Sequence, residues 1–113
     1  MAGLPLNTFK TVRANVTDAL ISVYEAPLGI TSIVLMAQVA NVDESTSWVT
    51  FKHYSNADDV QTFIVKEIDV PINDARILLG GKLVLQTGDR ILVQAEANNR
   101  LEFIASILET ANQ

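Results

Sequence analysis

His53 is the only histidine in the 113-residue sequence, and so the only side chain whose ordinary titration would suit it to general-base work near neutral pH. A nucleophilic triad would have to be built on it. No Gly-x-Ser-x-Gly elbow accompanies it, and no second His, no Cys and no carboxylate stands at metal-ligand spacing around it. Asp43 with Glu44 and Asp58 with Asp59 have the form of hard-cation ligands or paired acids, but adjacent carboxylates in polar, turn-forming stretches are ordinarily solvated. Gly80-Gly81-Lys82 has the composition of a phosphate loop. A β-type run follows it rather than a helix, so the helix terminus that binds the anion is missing. Asn15-Val16-Thr17 spells a glycosylation acceptor, but inside an expected strand and behind no leader. The reading assigns no catalytic residue, no cofactor and no metal, and expects the chain not to be an enzyme.

The elements around these residues are short, apolar and alternating. Ala75 to Ala97 is the most ordered stretch: two apolar runs flank Gln86-Thr87-Gly88-Asp89, which reads as a β-hairpin with Gly88 at a positive φ and Asp89 bonding nearby backbone. After the turn, Ile91, Val93, Ala95 and Ala97 share one face and Arg90, Gln94 and Glu96 the other. Leu92 breaks the polar face, which suits a sheet covered by a neighbouring subunit.

Further strands are expected at Phe9–Thr17, Ala19–Glu25, Ser32–Val42, Ser47–Ser55, Val60–Val70 and Leu101–Thr110. In the first, Val12, Ala14 and Val16 face inward. In the second, Ile21 and Val23 oppose Leu20 and Tyr24. Ser32–Val42 reads as a central strand covered on both faces, with a helix as its rival, and Val60–Val70 as another strand covered on two sides. The last turns Leu101, Phe103, Ala105 and Ile107 inward, with Ile104 and Leu108 opposite. Pro27 and Gly29 supply the chemistry of one turn, and Gly80-Gly81 a bend or bulge. Trp48 and Tyr54 bracket an outward face, either as a contact surface or as rim packing.

Residues 1–8 read as an extended N-terminal arm ahead of a domain over residues 9–113. Leu4 and Leu6 beside Pro5 either fray or pack on a neighbour. Eight or nine strands with regular turns predict an all-β fold, a single antiparallel β-sandwich with jelly-roll topology as one form of it.

With no cysteine, a disulfide-stapled module and a thiolate zinc site are excluded. The start, MAGLPLNTFK, has no basic region followed by an apolar core, and no run is long enough to span a membrane, so cytoplasmic synthesis without a membrane partner is expected. A net charge of −5 without a cluster of Lys or Arg argues against direct nucleic-acid binding. Nearly half the residues are apolar, a sign of apolar surface buried between chains.

Four segments together resemble small structural proteins of tailed-bacteriophage virions: VYEAPLGITSIVLMAQVANV at Val23–Val42, VPIND at Val70–Asp74, GKLVLQTGDRILVQA at Gly81–Ala95 and SILE at Ser106–Glu109. The resemblance runs from about Val12 to Glu109 and departs mainly in the acidic loop Asp43–Trp48. It implies a non-enzymatic β-sandwich in the virion, assembled in the host cytoplasm. Such a protein decorates the capsid, self-associating, commonly as a trimer, and binding the major capsid protein. The alternative position is a ring in the neck, collar or tail, among neck or tail proteins. The candidate interface is Leu4, Leu6, Trp48 and Tyr54, and the structural turns are Gly29, Gly88 and Asp89. A carbohydrate-binding sandwich presenting Trp48 and Tyr54 to a glycan is the more distant alternative.

Overall fold

The computed structural model describes residues 7–112. Leu4 and Leu6 lie outside the described residues. Nine strands form: β1 Asn7–Asn15, β2 Ile21–Glu25, β3 Ile30–Asn41, β4 Ser47–Ser55, β5 Val60–Val70, β6 Ala75–Ile77, β7 Leu83–Leu85, β8 Arg90–Ala95 and β9 Leu101–Ala111. Sheet one runs β1-β9-β3, with β6 and β7 sharing the far side of β3, and sheet two runs β2-β8-β4-β5. All pairings are antiparallel. Taken as one interrupted strand, β6 and β7 complete a nested order: first pairs with last, second with second-last, third with sixth, fourth with fifth. That order is the jelly roll.

The two sheets bury one face each against the other. From sheet one come Val34, Ala37, Val39, Phe103, Ala105 and Ile107; from sheet two, Val49, Phe51, Ile91, Val93 and Ala95. The rings of Phe51 and Phe103 meet across the gap at 5.8 Å, tilted by 34°. Each fully buried side chain of this kind contributes about 1.5–3 kcal/mol from its removal from water. The alternations expected for β1 and β9 are those found, and that for β8 holds through Ile91, Val93 and Ala95 but not Ala97, which lies past the strand and is half-buried: Val16 is buried, Val12 and Ala14 pack against the core, and Leu101, Phe103, Ala105 and Ile107 point inward.

Five readings are corrected, that of β3 among them, which is not covered on both faces. The stretch around Gly88 is no hairpin: β7 bonds to β3 in sheet one and β8 to β2 and β4 in sheet two, so the turn carries the chain between sheets. Local turn chemistry shows where a chain reverses, not which strand it pairs with next. Strand β5 is not covered on two sides. It is the edge of sheet two, and Val60, Phe63 and Ile68 are about half exposed. It is apolar on both faces because register shifts opposite Phe51 bring Ile64 and Val65, adjacent in sequence, both against the core.

Tyr24 faces inward, because a bulge between Ser22 and Tyr24 breaks the alternation and puts Tyr24 opposite the buried Ile91. Leu92 needs no neighbour. It is only 7% exposed within the chain, lying between Ser22 and Lys52 in sheet two. Strand β3 is central as expected and buried on its inner face, while its outer face is half exposed.

Candidate interaction surface

With one face of each sheet spent on the core, function has to use the outer faces and the loops. On sheet two, β4 points Trp48, Lys52 and Tyr54 outward. Trp48 and Tyr54 are both half-buried and stand at opposite ends of the strand, six residues or about 20 Å apart, so they form no common platform. Tyr54 is also engaged. Its hydroxyl donates to Asp59 Oδ1 at 2.8 Å, and Arg90 lies 5.3 Å from its ring centre while donating to Glu25 Oε1 at 2.9 Å. The bond to Asp59 pushes the Tyr54 hydroxyl above its usual range. Phe63 is occupied in the same way, with Lys52 Nζ 4.2 Å and Lys66 Nζ 5.2 Å from its ring centre. Tyr54 and Phe63 are therefore matched to cations of the same chain, and Trp48 is the ring of this face without one among the described residues.

Sheet one presents a different surface. Its cross-strand register sets Phe9, Leu108, Ile33 and Val84 in one row across β1, β9, β3 and β7. A parallel row runs Arg13, Ile104, Gln38 and Ile77, with Ser106 and Met36 between the two. Phe9 is 73% exposed, Ile77 64% and Val84 53%, and no ring or aliphatic chain of the other sheet reaches them. Among the strand residues of this face the charged ones are Arg13 and Glu102, on β1 and β9. They border a shallow hollow of about 530 Å³ with Asn15, Gln38 and Ile104.

Sequence reasoning did not collect these residues into a surface. It had set Ile104 and Leu108 on the outward side of β9, and carrying the parity of Val12 and Ala14 back along β1 would have put Phe9 there too. The row itself depends on register, which the sequence alone does not give.

The loop end nearest Gly88 is a scaffold. Asp89, 6% exposed, accepts the Asn56 backbone N–H on Oδ1 at 2.9 Å and the Gln86 N–H on Oδ2 at 3.0 Å, with His53 Nε2 3.4 Å from Oδ2. The Asp89 carboxylate thus ties the β7–β8 loop to the β4–β5 loop through Asn56 and to the end of β4 through His53. Gly29 and Gly88 take φ of 77° and 85°. Gly88 N donates to Ala26 O and Ala26 N to Asp89 O, both at 2.9 Å, which couples the two crossings between sheets. Among the described residues no cluster of three His, Cys, Asp or Glu is arranged to hold a metal.

No family model and no curated protein matches the sequence. Solved structures do match the fold. A chain of the Bacillus endospore appendages, described as disulfide-linked pili, superposes with a TM-score of 0.58 at 11% identity, over 95% of this chain and 88% of its own. The infectious bursal disease virus particle gives 0.55 at 8% identity, over 96% of this chain and 32% of the viral one. The VP2 subviral particle of that virus gives 0.55 at 9% identity, over 94% and 33%. The chain thus spans about a third of the length of these viral proteins. At such identities the likeness is one of fold, shared with subunits of a viral shell and of a pilus.

Proposed function

We propose that this protein is a non-enzymatic structural protein of a tailed-bacteriophage virion, a capsid decoration protein that self-associates and binds the major capsid shell. The observation that carries the reading is the apolar outer face of sheet one, on which the described residues leave Phe9, Ile77 and Val84 exposed, set on a jelly roll whose own core is complete without it. Three further points support it: the sequence resembles small virion proteins, the fold is shared with a viral shell subunit, and the Asp89 carboxylate, paired with the one histidine, is committed to holding two loops. A disulfide-linked pilus does not suit this chain, which has no cysteine. Carbohydrate stacking is disfavoured because Tyr54 is held by Arg90 and Asp59.

In this reading the segment ahead of β1, residues 1–6 with Leu4 and Leu6, is an attachment arm, since Asn7 and Thr8 pair with β9, and Trp48 faces the shell. Burying two leucines is worth roughly 3–6 kcal/mol before ordering costs, enough to matter at a contact repeated over a particle. The test is to locate the protein in a reconstructed particle and repeat with residues 1–6 removed. Density on the capsid surface, with occupancy lost on truncation and folding intact, is expected. Density confined to the neck or tail would replace decoration with the ring reading, and absence from the particle would overturn both.

A further inference from the structure

We propose that the outer face of sheet one is a homotypic docking surface, on which the same face of a second copy of this chain packs. The inference rests on the self-associating role proposed above and names the surface that performs it.

Charge points to the occupant. The molecule carries a net charge of −5, yet the strand residues of this face contribute one cation, Arg13, and one anion, Glu102. The face is therefore neutral on an acidic protein. A strongly charged partner would find no complement there, whereas a second neutral, apolar face meets no repulsion. An isologous pair also needs only one self-complementary patch, and the apolar row Phe9, Leu108, Ile33 and Val84, set across four strands beside the shallow hollow at Arg13 and Glu102, offers one.

The size is adequate. Four strands at about 4.8 Å and nine residues at about 3.4 Å give roughly 19 by 30 Å, or about 570 Å² per copy. Two copies together bury about 1,100 Å² or more once side-chain relief is included, which clears the roughly 1,000 Å² expected of a specific interface. The packing would add a third layer at the ordinary sheet-to-sheet spacing of about 10 Å.

Two other surfaces fit a second copy less well. The edge strand β5 is interrupted by its register shifts and by Glu67 at a φ of 48°, whose N–H turns to Thr50 Oγ1, and such bulges oppose edge-to-edge pairing. On the outer face of sheet two, Phe63 and Tyr54 are covered by Lys52, Lys66 and Arg90.

The experiment is sedimentation equilibrium of the full chain at micromolar concentration, with melting curves run in parallel. The wild type is expected at twice the 12.3 kDa chain mass, or an even multiple of it. Ile104→Lys should halve the mass. Should that variant fail to fold, Phe9→Ser serves, since a residue 73% exposed contributes little to the fold of the single chain. Trp48→Ala and removal of residues 1–6 should both leave the mass unchanged. A monomeric wild type, a closed trimer, a mass unmoved by both face variants, or dissociation on removing the arm alone would each overturn the proposal. The two readings fail separately: a monomer that still decorates particles sinks this face and spares the virion role, while a dimer absent from particles does the reverse.

Discussion

Tyr24, on sheet two, donates its phenolic proton to Glu109 on sheet one, and so links the two layers through a polar contact. Ser32 Oγ lies 2.7 Å from the same hydroxyl, and Lys10 Nζ sits 3.5 Å from Glu109 Oε2. Burial, and then the bond to Glu109, push the Tyr24 hydroxyl well above its ordinary value of 10.0. The folded state thus holds this proton more tightly than the unfolded chain does. The stability it contributes is complete below about pH 10 and is lost as pH rises beyond that. Melting curves from neutral pH to pH 11 should show Tyr24→Phe less stable by about 1–3 kcal/mol near neutrality, because Glu109 loses a buried partner. The gap should narrow between pH 10 and pH 11, by about 1 kcal/mol. Parallel curves would mean that the bond contributes nothing in the wild type.

Gly88 and Asn56 give a second prediction. A Cβ on Gly88 would stand 2.7 Å from Asn56 Nδ2 and 3.0 Å from its Cβ, at a φ of 85°, whereas one on Gly29, at 77°, would meet nothing within 4 Å. Gly29→Ala therefore measures backbone strain alone, about 1 kcal/mol, and Gly88→Ala adds the clash for a total of about 2–3 kcal/mol. Adding Asn56→Gly to Gly88→Ala should recover part of the loss, read as non-additivity in a double-mutant cycle by chemical denaturation. Equal costs for the two glycines would show that the loop carrying Asn56 simply moves aside.

The strands and the inward faces of β1, β8 and β9 were legible because an alternating pattern in a half-buried strand is written in its own residues. Partnership was not. The glycine at Gly88 announces a reversal whether the next strand lies beside the last or in the opposite sheet, and the choice depends on β2 and β4, far away in sequence, offering β8 its edges. Bulges hid the rest: near Ser22–Tyr24 and opposite Phe51 the parity changes, so Tyr24 turned inward and β5 read as doubly covered. The apolar row of Phe9, Leu108, Ile33 and Val84 draws one residue from each of four strands, and no single window of sequence contains it.

Trp48 and Phe51 lie three residues apart on β4 and should separate attachment from folding. Phe51 is fully buried against Phe103, so Phe51→Ala should cost about 3–5 kcal/mol and remove the protein from particles by unfolding it. Trp48 is half-buried on the outer face opposite Asp69, where truncation gives up only part of that burial, about 1–2 kcal/mol. If Trp48 meets the capsid, occupancy on reconstructed particles should fall for Trp48→Ala while the melting temperature moves by only a few degrees. Self-association through sheet one should persist in the same variant, because Trp48 lies on the other sheet. A loss of stability matching that of Phe51→Ala would make Trp48 a core residue, and unchanged occupancy would leave the contact with the shell to the loops.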